Sequence, residues 1–310
     1  MSRRALRCRV LVAGAAIVLA VAALAVAGCG GGSGASSGAA LAATSLPSTR
    51  GVCGPRAAHP VKPQHVVWIV MENQAFSVVG SSSAPYLTRL AAACGLATHF
   101  TAEAHPSLPN YLAMTSGSTQ GVTDDDSPGS HAIAGPSLFS QLGTRWQALE
   151  ESMPHACDLT NSGQYAVRHN PAAYYTGVRR QCGAQDVPMR GAPAVTAPFT
   201  FVTPNLCHDM HSCPVASGDR WLAGWLPRLI ATPEYRSGST VVFITWDEDD
   251  GSAHQHIPTL VVSPDTRPGT RSAAAFDHYS LLATTEDLLG VPRIGAAAHA
   301  TSMSAAFGLG

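Results

Sequence analysis

The sequence predicts an α/β fold in which a largely parallel central sheet, flanked by helices, forms a single domain. Two observations lead to this class. Short apolar runs rich in β-branched residues, such as 65–71 and 240–246, alternate along the chain with segments of helical period. Such continuous apolar runs are typical of parallel strands, because helices cover these strands on both faces. With 310 residues, the chain is long enough for one large domain of this kind.

The N-terminus has the pattern of an export signal, with arginines clustered in residues 3–9 and an apolar run over 10–27. Val26-Ala-Gly-Cys29 then resembles a bacterial lipobox, in which Cys29 is lipidated and holds an outward-facing protein on the cell membrane. A plain cleaved signal, giving a secreted protein, and an uncleaved anchor are the alternatives. We predict a lipoprotein signal peptide over 1–28, a lipidated cysteine with a flexible linker over 29–64, and a folded domain over 65–310.

Charge and cysteine content narrow the environment and the partners of this domain. Residues 1–28 hold four of the 19 basic residues and none of the 20 acidic ones. The remainder is therefore acidic, which argues against a nucleic-acid partner. Six cysteines beyond Cys29 predict three disulfides in an exported chain. They are Cys53, Cys94, Cys157, Cys182, Cys207 and Cys213. Their pairing stays open, and the short loop from Cys207 to Cys213 is the simplest to close.

The elements follow one another mainly as strand and helix. Strands are predicted over 65–71, 96–100, 199–203, 240–246 and 257–262. Helices are predicted from Pro85 to Cys94, over 137–153, from about 219, and over 280–289. The segment 105–111 contains two prolines and is predicted as a turn. Residues 154–198 are less regular, which suits an insertion or a cap over the site.

Polar side chains follow three of the predicted strands, at Glu72-Asn73, Asn205 to His211, and Asp247-Glu248. The carboxyl ends of parallel strands share one edge of the sheet, where α/β proteins bind their ligands. Carboxylates that face one another there repel, so a cation is their natural occupant. An all-oxygen ligand set prefers a hard cation, and added histidines shift the preference toward zinc or iron.

Ser107 is the candidate nucleophile. It stands in His105-Pro-Ser107-Leu-Pro-Asn110-Tyr111, which places a hydroxyl, an imidazole and a carboxamide close together. A serine hydroxyl is a poor nucleophile unless a base or a metal activates it. A cation beside Ser107 stabilises its alkoxide and holds phosphoryl oxygens, and Asn110 is spaced to donate to a transition-state oxygen.

Seven short segments, spread in order over about residues 65–292, together resemble the bacterial phosphoesterase family of acid phosphatases and phospholipase C-like enzymes, within the alkaline phosphatase superfamily. The segments are Val70-Met-Glu72-Asn73, Ala84-Pro-Tyr-Leu, His105-Pro-Ser107-Leu-Pro-Asn110-Tyr-Leu, Pro204-Asn-Leu-Cys-His-Asp209-Met-His211, Gly218-Asp219-Arg-Trp-Leu, Trp246-Asp247-Glu248 and His278-Tyr-Ser-Leu-Leu. One such match is weak, whereas the ordered set is specific.

The resemblance implies an alkaline-phosphatase-like fold and a hydrolase acting on phosphoric ester bonds. In the acid phosphatases of the family, a Glu-Asn pair after the first strand and an acidic pair after a late strand bind a metal with the serine nucleophile. Carried over to this chain, the metal ligands are Glu72, Asn73, Ser107, Asp247 and Glu248.

Nucleotide pyrophosphatases, which are related, place a Phe-Pro-Asn triplet after the nucleophile, and its Asn helps to hold phosphate. Ser107-Leu-Pro-Asn110 looks like that motif, and His278 looks like the late histidine of the superfamily. The Asp-His pair of those enzymes is here Asp247-Glu248, and their second-site Asp is best matched by Asn205. Both departures favour one divalent ion over a two-zinc centre. Calcium, magnesium, manganese and zinc all stay open as its identity.

The sequence thus predicts an exported, metal-dependent phosphoesterase, foremost an acid-phosphatase-like phosphomonoesterase that works through a phosphoserine intermediate. The predicted catalytic residues are Ser107, Asn110, His208 and His278, and the predicted substrate contacts are His105, His169 and His211. Two alternatives stay open. One is a phospholipase C-like phosphodiesterase, and the other is a non-catalytic lipoprotein that binds a ligand of the cell envelope.

Overall fold

Two strands at the centre of the molecule carry apolar side chains on both faces. In the computed structural model, which describes residues 46–54, 62–191 and 193–310, these are β1, His65–Met71, and β7, Thr240–Trp246. They pair in parallel along their whole length, from His65 with Thr240 to Met71 with Trp246. Every residue of β7 is buried, so this pair forms the middle of the core.

The other described strands are β2 Gly95–Ala97, β3 Phe100–Thr101, β4 Trp146–Glu150, β5 Asp186–Pro188, β6 Phe199–Thr203, β8 Thr259–Val262, β9 Arg271–Ser272 and β10 Phe276–Asp277. The main sheet has the order β5-β4-β6-β1-β7-β8-β2-β9, and β10 pairs with β3 separately. The strands from β5 to β7 in this order are parallel, whereas β8 is antiparallel to both of its neighbours. The predicted class, α/β with a largely parallel sheet, is confirmed.

Helices lie on the sheet and supply the rest of the core. The described α-helices are α1 Pro85–Ala93, α2 Ser107–Ser116, α3 Leu138–Leu142, α4 Cys182–Gln185, α5 Val215–Ile230, α6 Pro233–Arg236, α7 His278–Leu289 and α8 Ser304–Phe307. Short 3-10 helices occupy 76–78, 167–169, 171–173, 176–178 and 295–299. All ten residues of α2 are buried, which places this helix inside the molecule.

Two sequence predictions of secondary structure are wrong. The segment 137–153 is not one helix: α3 ends at Leu142, and β4 begins at Trp146. Gly143 separates them with a φ of +64°, which favours glycine. The proline-rich segment 105–111 is not a turn, because α2 begins at Ser107. Pro109 lies in the first turn of α2, where its missing N–H costs no intrahelical hydrogen bond.

Residues 46–54 belong to the folded unit, although the predicted domain starts at residue 65. Val52 and Cys53 are buried in the core, and Tyr235 Oη donates to Val52 O at 2.8 Å. The three predicted disulfides are present and join Cys53 to Cys94, Cys157 to Cys182, and Cys207 to Cys213. Such disulfides are typical of a protein that folds in an oxidising compartment.

The predicted signal peptide and the lipidation at Cys29 lie outside the described residues. Within those residues, no helix is both long and apolar enough to cross a membrane.

Candidate active site

The carboxyl ends of β1 and β7 bring the first carboxylates together. Glu72 follows β1 and Asp247 follows β7, and both side chains are fully buried. Asp247 N donates to Met71 O at 3.0 Å, and this hydrogen bond continues the parallel register of the two strands beyond their ends. Asp247 Oδ1 in turn accepts from the backbone N–H of Asn73 at 3.3 Å. The parallel pairing of two apolar strands therefore places these acidic groups side by side.

Ser107 reaches this cluster from the N-terminus of α2. Its Oγ donates to Glu72 Oε2 at 3.2 Å and lies 3.5 Å from Glu248 Oε1. Ser107 is the first residue of α2, where the helix dipole favours an anion. The structure thus brings together the hydroxyl and the carboxylates that the sequence predicts as one site.

The buried carboxylates are held in an environment that disfavours their charge. Burial, followed by the charges of Asp247 and Asp209, raises the pKa of Glu72 well above its ordinary value. Burial and the charge of Asp247 raise the pKa of Glu248. Burial also raises the pKa of Asp247. Each group would ionise more readily beside a cation.

The donor set at this point fits a divalent metal ion. Asn73 Oδ1 and Asp247 Oδ2 are buried oxygens that accept no hydrogen bond from the described protein. Buried oxygens of this kind are costly unless something satisfies them. With the oxygens of Glu72, Glu248 and Ser107, they form the all-oxygen set that hard cations prefer. An open cleft leads to it, lined by Asn73, His105, Glu248, Asp249, Asp250 and Gly251.

A second layer of titratable groups lies against Glu72. Tyr111 Oη donates to Glu72 Oε1 at 2.5 Å, and its ring stacks on that of His169 at 5.4 Å. His169 is buried between two carboxylates, with Nε2 3.3 Å from Glu72 Oε1 and Nδ1 3.5 Å from Asp209 Oδ2. Glu72, His169 and His211 each offer a ligand atom within 4.8 Å of the others. The histidines therefore adjoin the oxygen cluster on the side of Glu72.

The predicted catalytic residue Asn110 lies in α2, one turn after Ser107, and is fully buried. Its Oδ1 accepts from Glu103 N at 3.0 Å and from Ala104 N at 2.9 Å. Its Nδ2 donates to Ala104 O at 2.7 Å. In this structure the carboxamide holds the turn that precedes Ser107, and its phosphate contact stays a prediction.

His278, also predicted as catalytic, begins α7 and is fully buried. Its Nδ1 lies 2.5 Å from Glu103 Oε2, and its Nε2 lies 2.9 Å from Trp246 O. Trp246 O is a hydrogen-bond acceptor, so Nε2 carries a proton. Both ring nitrogens are therefore engaged by the protein, one of them with the residue that directly precedes Asp247.

The remaining predicted histidines lie at the rim of the site. His105 is partly exposed, with Nδ1 2.6 Å from Glu248 Oε2 and Nε2 3.1 Å from Asp249 Oδ1. His208 pairs through Nδ1 with Glu151 Oε2 at 2.9 Å and stacks on Trp221. His105 thus contacts the acidic cluster directly, whereas the side chain of His208 contacts Glu151 and Trp221 of α5.

Sequence reasoning missed several residues that the fold delivers to this site. Asp209, rather than Asn205, reaches the cluster, and its backbone oxygen also accepts from Glu72 N at 2.8 Å. Tyr111, Glu103 and Arg168 were missed as well. Asp209 and Tyr111 lie inside segments that carry the family resemblance, which was the available signal. Glu103 and Arg168 have no local signature, because only tertiary packing brings them here.

The fold and this site define a hydrolase that acts on phosphoric ester bonds. A model of the Phosphoesterase family matches residues 77–292, and the chain belongs to that family.

Two curated relatives illustrate the range of the family. The phosphatidylinositol-3-phosphatase of Mycobacterium tuberculosis is 34% identical over 257 residues, which cover 79% of this chain and 83% of the relative. The phosphate-repressible acid phosphatase of Penicillium chrysogenum is 28% identical, over 67% of this chain and 55% of the relative. The chain thus spans most of the first relative but little more than half of the fungal enzyme.

Solved structures share the fold at low sequence identity. A protein of the alkaline phosphatase superfamily from Vibrio parahaemolyticus superposes with a TM-score of 0.53 and 14% identity, covering 79% of this chain and 71% of that one. A lipoteichoic acid synthase from Listeria monocytogenes gives 0.51 and 12%, covering 81% and 77%. The predicted family and alkaline-phosphatase-like fold are confirmed.

Proposed function

We propose that the protein is an exported, metal-dependent phosphomonoesterase in which Ser107 is the nucleophile. The observation that carries this proposal is the position of Ser107 Oγ, 3.2 Å from Glu72 Oε2 at the N-terminus of a buried helix. The curated relatives, which are named as phosphatases, support the monoester reaction.

The chain's own residues account for the movement of protons and bonds. Ser107 Oγ attacks phosphorus and gives its proton toward Glu72 Oε2, which already accepts its hydrogen bond. The bond from phosphorus to the alcohol oxygen breaks, and the alcohol leaves with the proton that Glu72 has taken up. Water then attacks the phosphorus of the phosphoserine, the bond from phosphorus to Ser107 Oγ breaks, one proton of the water passes to Oγ, and hydrogen phosphate is released. The dipole of α2, whose N-terminal end carries Ser107, favours the negative phosphoryl oxygens at each stage.

The proposed metal ligands are Glu72, Asn73, Ser107, Asp247 and Glu248. A divalent ion held there lowers the pKa of the serine hydroxyl and offsets negative charge on the phosphoryl group. His105 orients Glu248 through the 2.6 Å contact at Oε2, and His169 and His211 adjoin Glu72. We also propose phosphate contacts for Asn110 and His208 and a role at the site for His278.

We further propose that residues 1–28 direct export and that Cys29 carries the lipid anchor. Three disulfides support export, because they persist in oxidising compartments. The segment 154–198 supplies β5 and the turn that bears His169. It therefore forms a wall of the proposed site.

The first experiment compares wild-type protein with Ser107→Ala on p-nitrophenyl phosphate. We expect the variant to lose turnover by at least about 1,000-fold, because it lacks the nucleophile, while its circular dichroism stays unchanged. A Ser107→Ala protein that keeps most of its activity would remove Ser107 from this role.

A substrate panel then separates the alternatives. It contains p-nitrophenyl phosphate, phosphatidylinositol 3-phosphate, bis(p-nitrophenyl) phosphate and phosphatidylcholine. Faster turnover of the two monoesters supports the proposal. Faster turnover of the diesters indicates a phospholipase C-like enzyme, and metal binding without any turnover indicates a non-catalytic lipoprotein.

A further inference from the structure

Arg168 is a cationic side chain that contacts residues around the nucleophile. It lies in the 3-10 turn Val167–His169, directly before the buried His169. Its Nε is 3.4 Å from Asp125 Oδ2, and its Nη2 is 3.1 Å from His211 Nε2. The side chain is only 19% exposed, so its charge acts on the interior of the site.

Asp125 connects this guanidinium to the nucleophile helix. Asp125 Oδ1 accepts from the backbone N–H of Leu108 at 2.9 Å, and Leu108 directly follows Ser107. The same carboxylate therefore meets an N–H at the start of α2 and the guanidinium of Arg168. Through Asp125, the guanidinium of Arg168 is therefore held next to the N-terminal end of α2.

Arg168 also has donor capacity that the protein does not use. Its Nε is buried and donates no hydrogen bond to the described protein, despite the ion pair with Asp125. Nη2 donates to His211 Nε2, and since a guanidinium has no lone pair, this imidazole nitrogen must be the acceptor. Arg168 therefore holds His211 neutral and in a fixed orientation, while its Nε–H has no hydrogen-bond acceptor among the described residues.

The negative charge around the nucleophile favours a cationic side chain that can bind an anionic substrate. Glu72, Asp209, Asp247, Glu248 and Asp125 form a strongly acidic surround, and a single divalent ion offsets only two of their charges. A phosphate monoester enters as a dianion, whereas a diester carries one charge less. A fixed guanidinium offers bidentate, charge-assisted hydrogen bonds to such oxygens.

We propose that Arg168 binds a non-bridging phosphoryl oxygen of the substrate and makes the site selective for dianionic phosphate monoesters over diesters. Arg168 holds this oxygen at the N-terminal end of α2 while Ser107 Oγ attacks. The inference rests on the proposed phosphomonoesterase function and specifies how that site chooses its substrate class.

The test measures phosphate binding separately from turnover. Inorganic phosphate is titrated by calorimetry into metal-loaded Ser107→Ala protein, with and without Arg168→Gln. The loss of a charge-assisted hydrogen bond is expected to weaken phosphate binding about 10- to 100-fold. In the protein that retains Ser107, Arg168→Gln should lower kcat/KM for p-nitrophenyl phosphate by a similar factor, while kcat/KM for bis(p-nitrophenyl) phosphate changes less than about threefold.

Arg228→Gln is the matched control, because Arg228 is exposed on α5 and donates to Gly224 O. It should leave both substrates and phosphate binding unchanged. Arg168→Lys keeps the charge without the planar fork, and we expect it to fall between wild type and Arg168→Gln. It also replaces Arg168→Gln in every measurement if the glutamine variant does not fold.

Two outcomes overturn the inference. One is unchanged phosphate affinity in the Arg168 variants. The other is an equal loss of activity on the monoester and the diester, which indicates that Arg168 only supports His211. Either result leaves the proposed function intact as long as Ser107→Ala is inactive. If the wild-type protein hydrolyses no monoester, the proposed function itself fails.

Discussion

His278 joins two parts of the site that lie far apart in the sequence. Its ring bridges Glu103, in the turn that leads to α2, and the carbonyl of Trp246, directly before Asp247. The backbone N–H of Glu103 donates to Asn110 Oδ1 within α2. The pair of Glu103 and His278 therefore fixes the serine helix relative to the carboxylates that follow β7.

Glu103→Gln is predicted to impair metal binding without touching a ligand. Loss of a group that orients metal ligands typically costs about 10- to 100-fold in affinity, and breaking a buried charge pair costs about 3–5 kcal/mol of stability. Calorimetric titration with Mn²⁺ and urea unfolding measure the two effects. Asp287→Asn breaks the exposed pair with Arg293 and is the control, expected to cost under about 1 kcal/mol. Wild-type Mn²⁺ affinity in Glu103→Gln contradicts the positioning role.

Asp186 predicts a pH dependence of stability that is separate from the active site. Burial raises its pKa from 3.8 to about 7. Between these values the folded protein keeps a proton that the unfolded chain has released. The free energy of unfolding should therefore fall as the pH rises from 4 to 7, by at most about 4 kcal/mol from this group.

Asp186→Asn should remove this part of the pH dependence and stabilise the protein at neutral pH. Asn170 Nδ2 lies 3.0 Å from both oxygens of Asp186, and Asn170 Oδ1 has no donor in the described structure, so the new amide can find a partner. Urea unfolding at pH 5 and pH 8 measures the change. If the free energy of unfolding changes by the same amount between pH 5 and pH 8 in the variant and in the wild type, Asp186 does not have a raised pKa.

At the scale of elements, β1, β6 and β7 could be predicted from sequence because each is a short, continuous, apolar run. The predicted bounds 65–71, 199–203 and 240–246 agree with the structure. The segment 137–153 failed, because its apolar spacing fits one helical face until Gly143 interrupts it. The two prolines of 105–111 led to the prediction of a turn, and α2 was missed. A proline is in fact compatible with the first turn of a helix, which is where Pro109 lies.

The family segment Gly218-Asp219 is explained by packing between helices. Asp219 in α5 accepts from Leu87 N at 2.8 Å and from Tyr86 N at 3.0 Å. These N–H groups begin α1, whose own N-cap, Ala84, has no side-chain acceptor. A Cβ on Gly218 would lie 2.8 Å from His208 O, so glycine lets α5 pack against the loop that carries Asp209.

Asp219→Ala is predicted to destabilise the protein by about 2–3 kcal/mol, because two buried N–H groups lose a charged acceptor. Asp219→Asn should lose less, since one amide oxygen can still accept. Thermal and urea unfolding give the values, and the neighbouring Arg220→Ala, which changes an exposed side chain, is the control. A loss equal to that of the control would mean that Asp219 does not cap α1.

At the scale of the whole molecule, the sequence could predict the carboxylates and the serine, because each stands beside a recognisable strand or motif. Of the groups that surround Glu72, it named His169 and His211 as substrate contacts but not Tyr111 or Asp209 as site residues. Tyr111, His169 and Asp209 come from α2, a 3-10 turn and a disulfide-closed loop, and only the complete fold brings them to Glu72. Arg168 is placed in the same way, through Asp125 and His211.

The same long-range assembly predicts that metal binding and folding are linked. Ser107 lies 35 residues from Glu72 and 141 from Glu248, so the unfolded chain offers no comparable site. A metal that binds only the folded state stabilises it by about 2.7 kcal/mol at 100 times its Kd. For a domain of this size, that corresponds to a rise in Tm of roughly 5–11 °C.

Differential scanning calorimetry with EDTA or with increasing Mn²⁺ measures this linkage. Asp247→Asn should raise the Tm in EDTA, because it removes one of several repelling buried carboxylates, and should abolish most of the rise with metal. Asp124→Asn is the control: Asp124 belongs to an exposed group with Asp126 and His131 that could also hold an ion. If Asp124→Asn abolishes the rise and Asp247→Asn does not, the stabilising metal lies in that loop. Protonation, rather than a bound cation, would then relieve the repulsion between the carboxylates around Ser107.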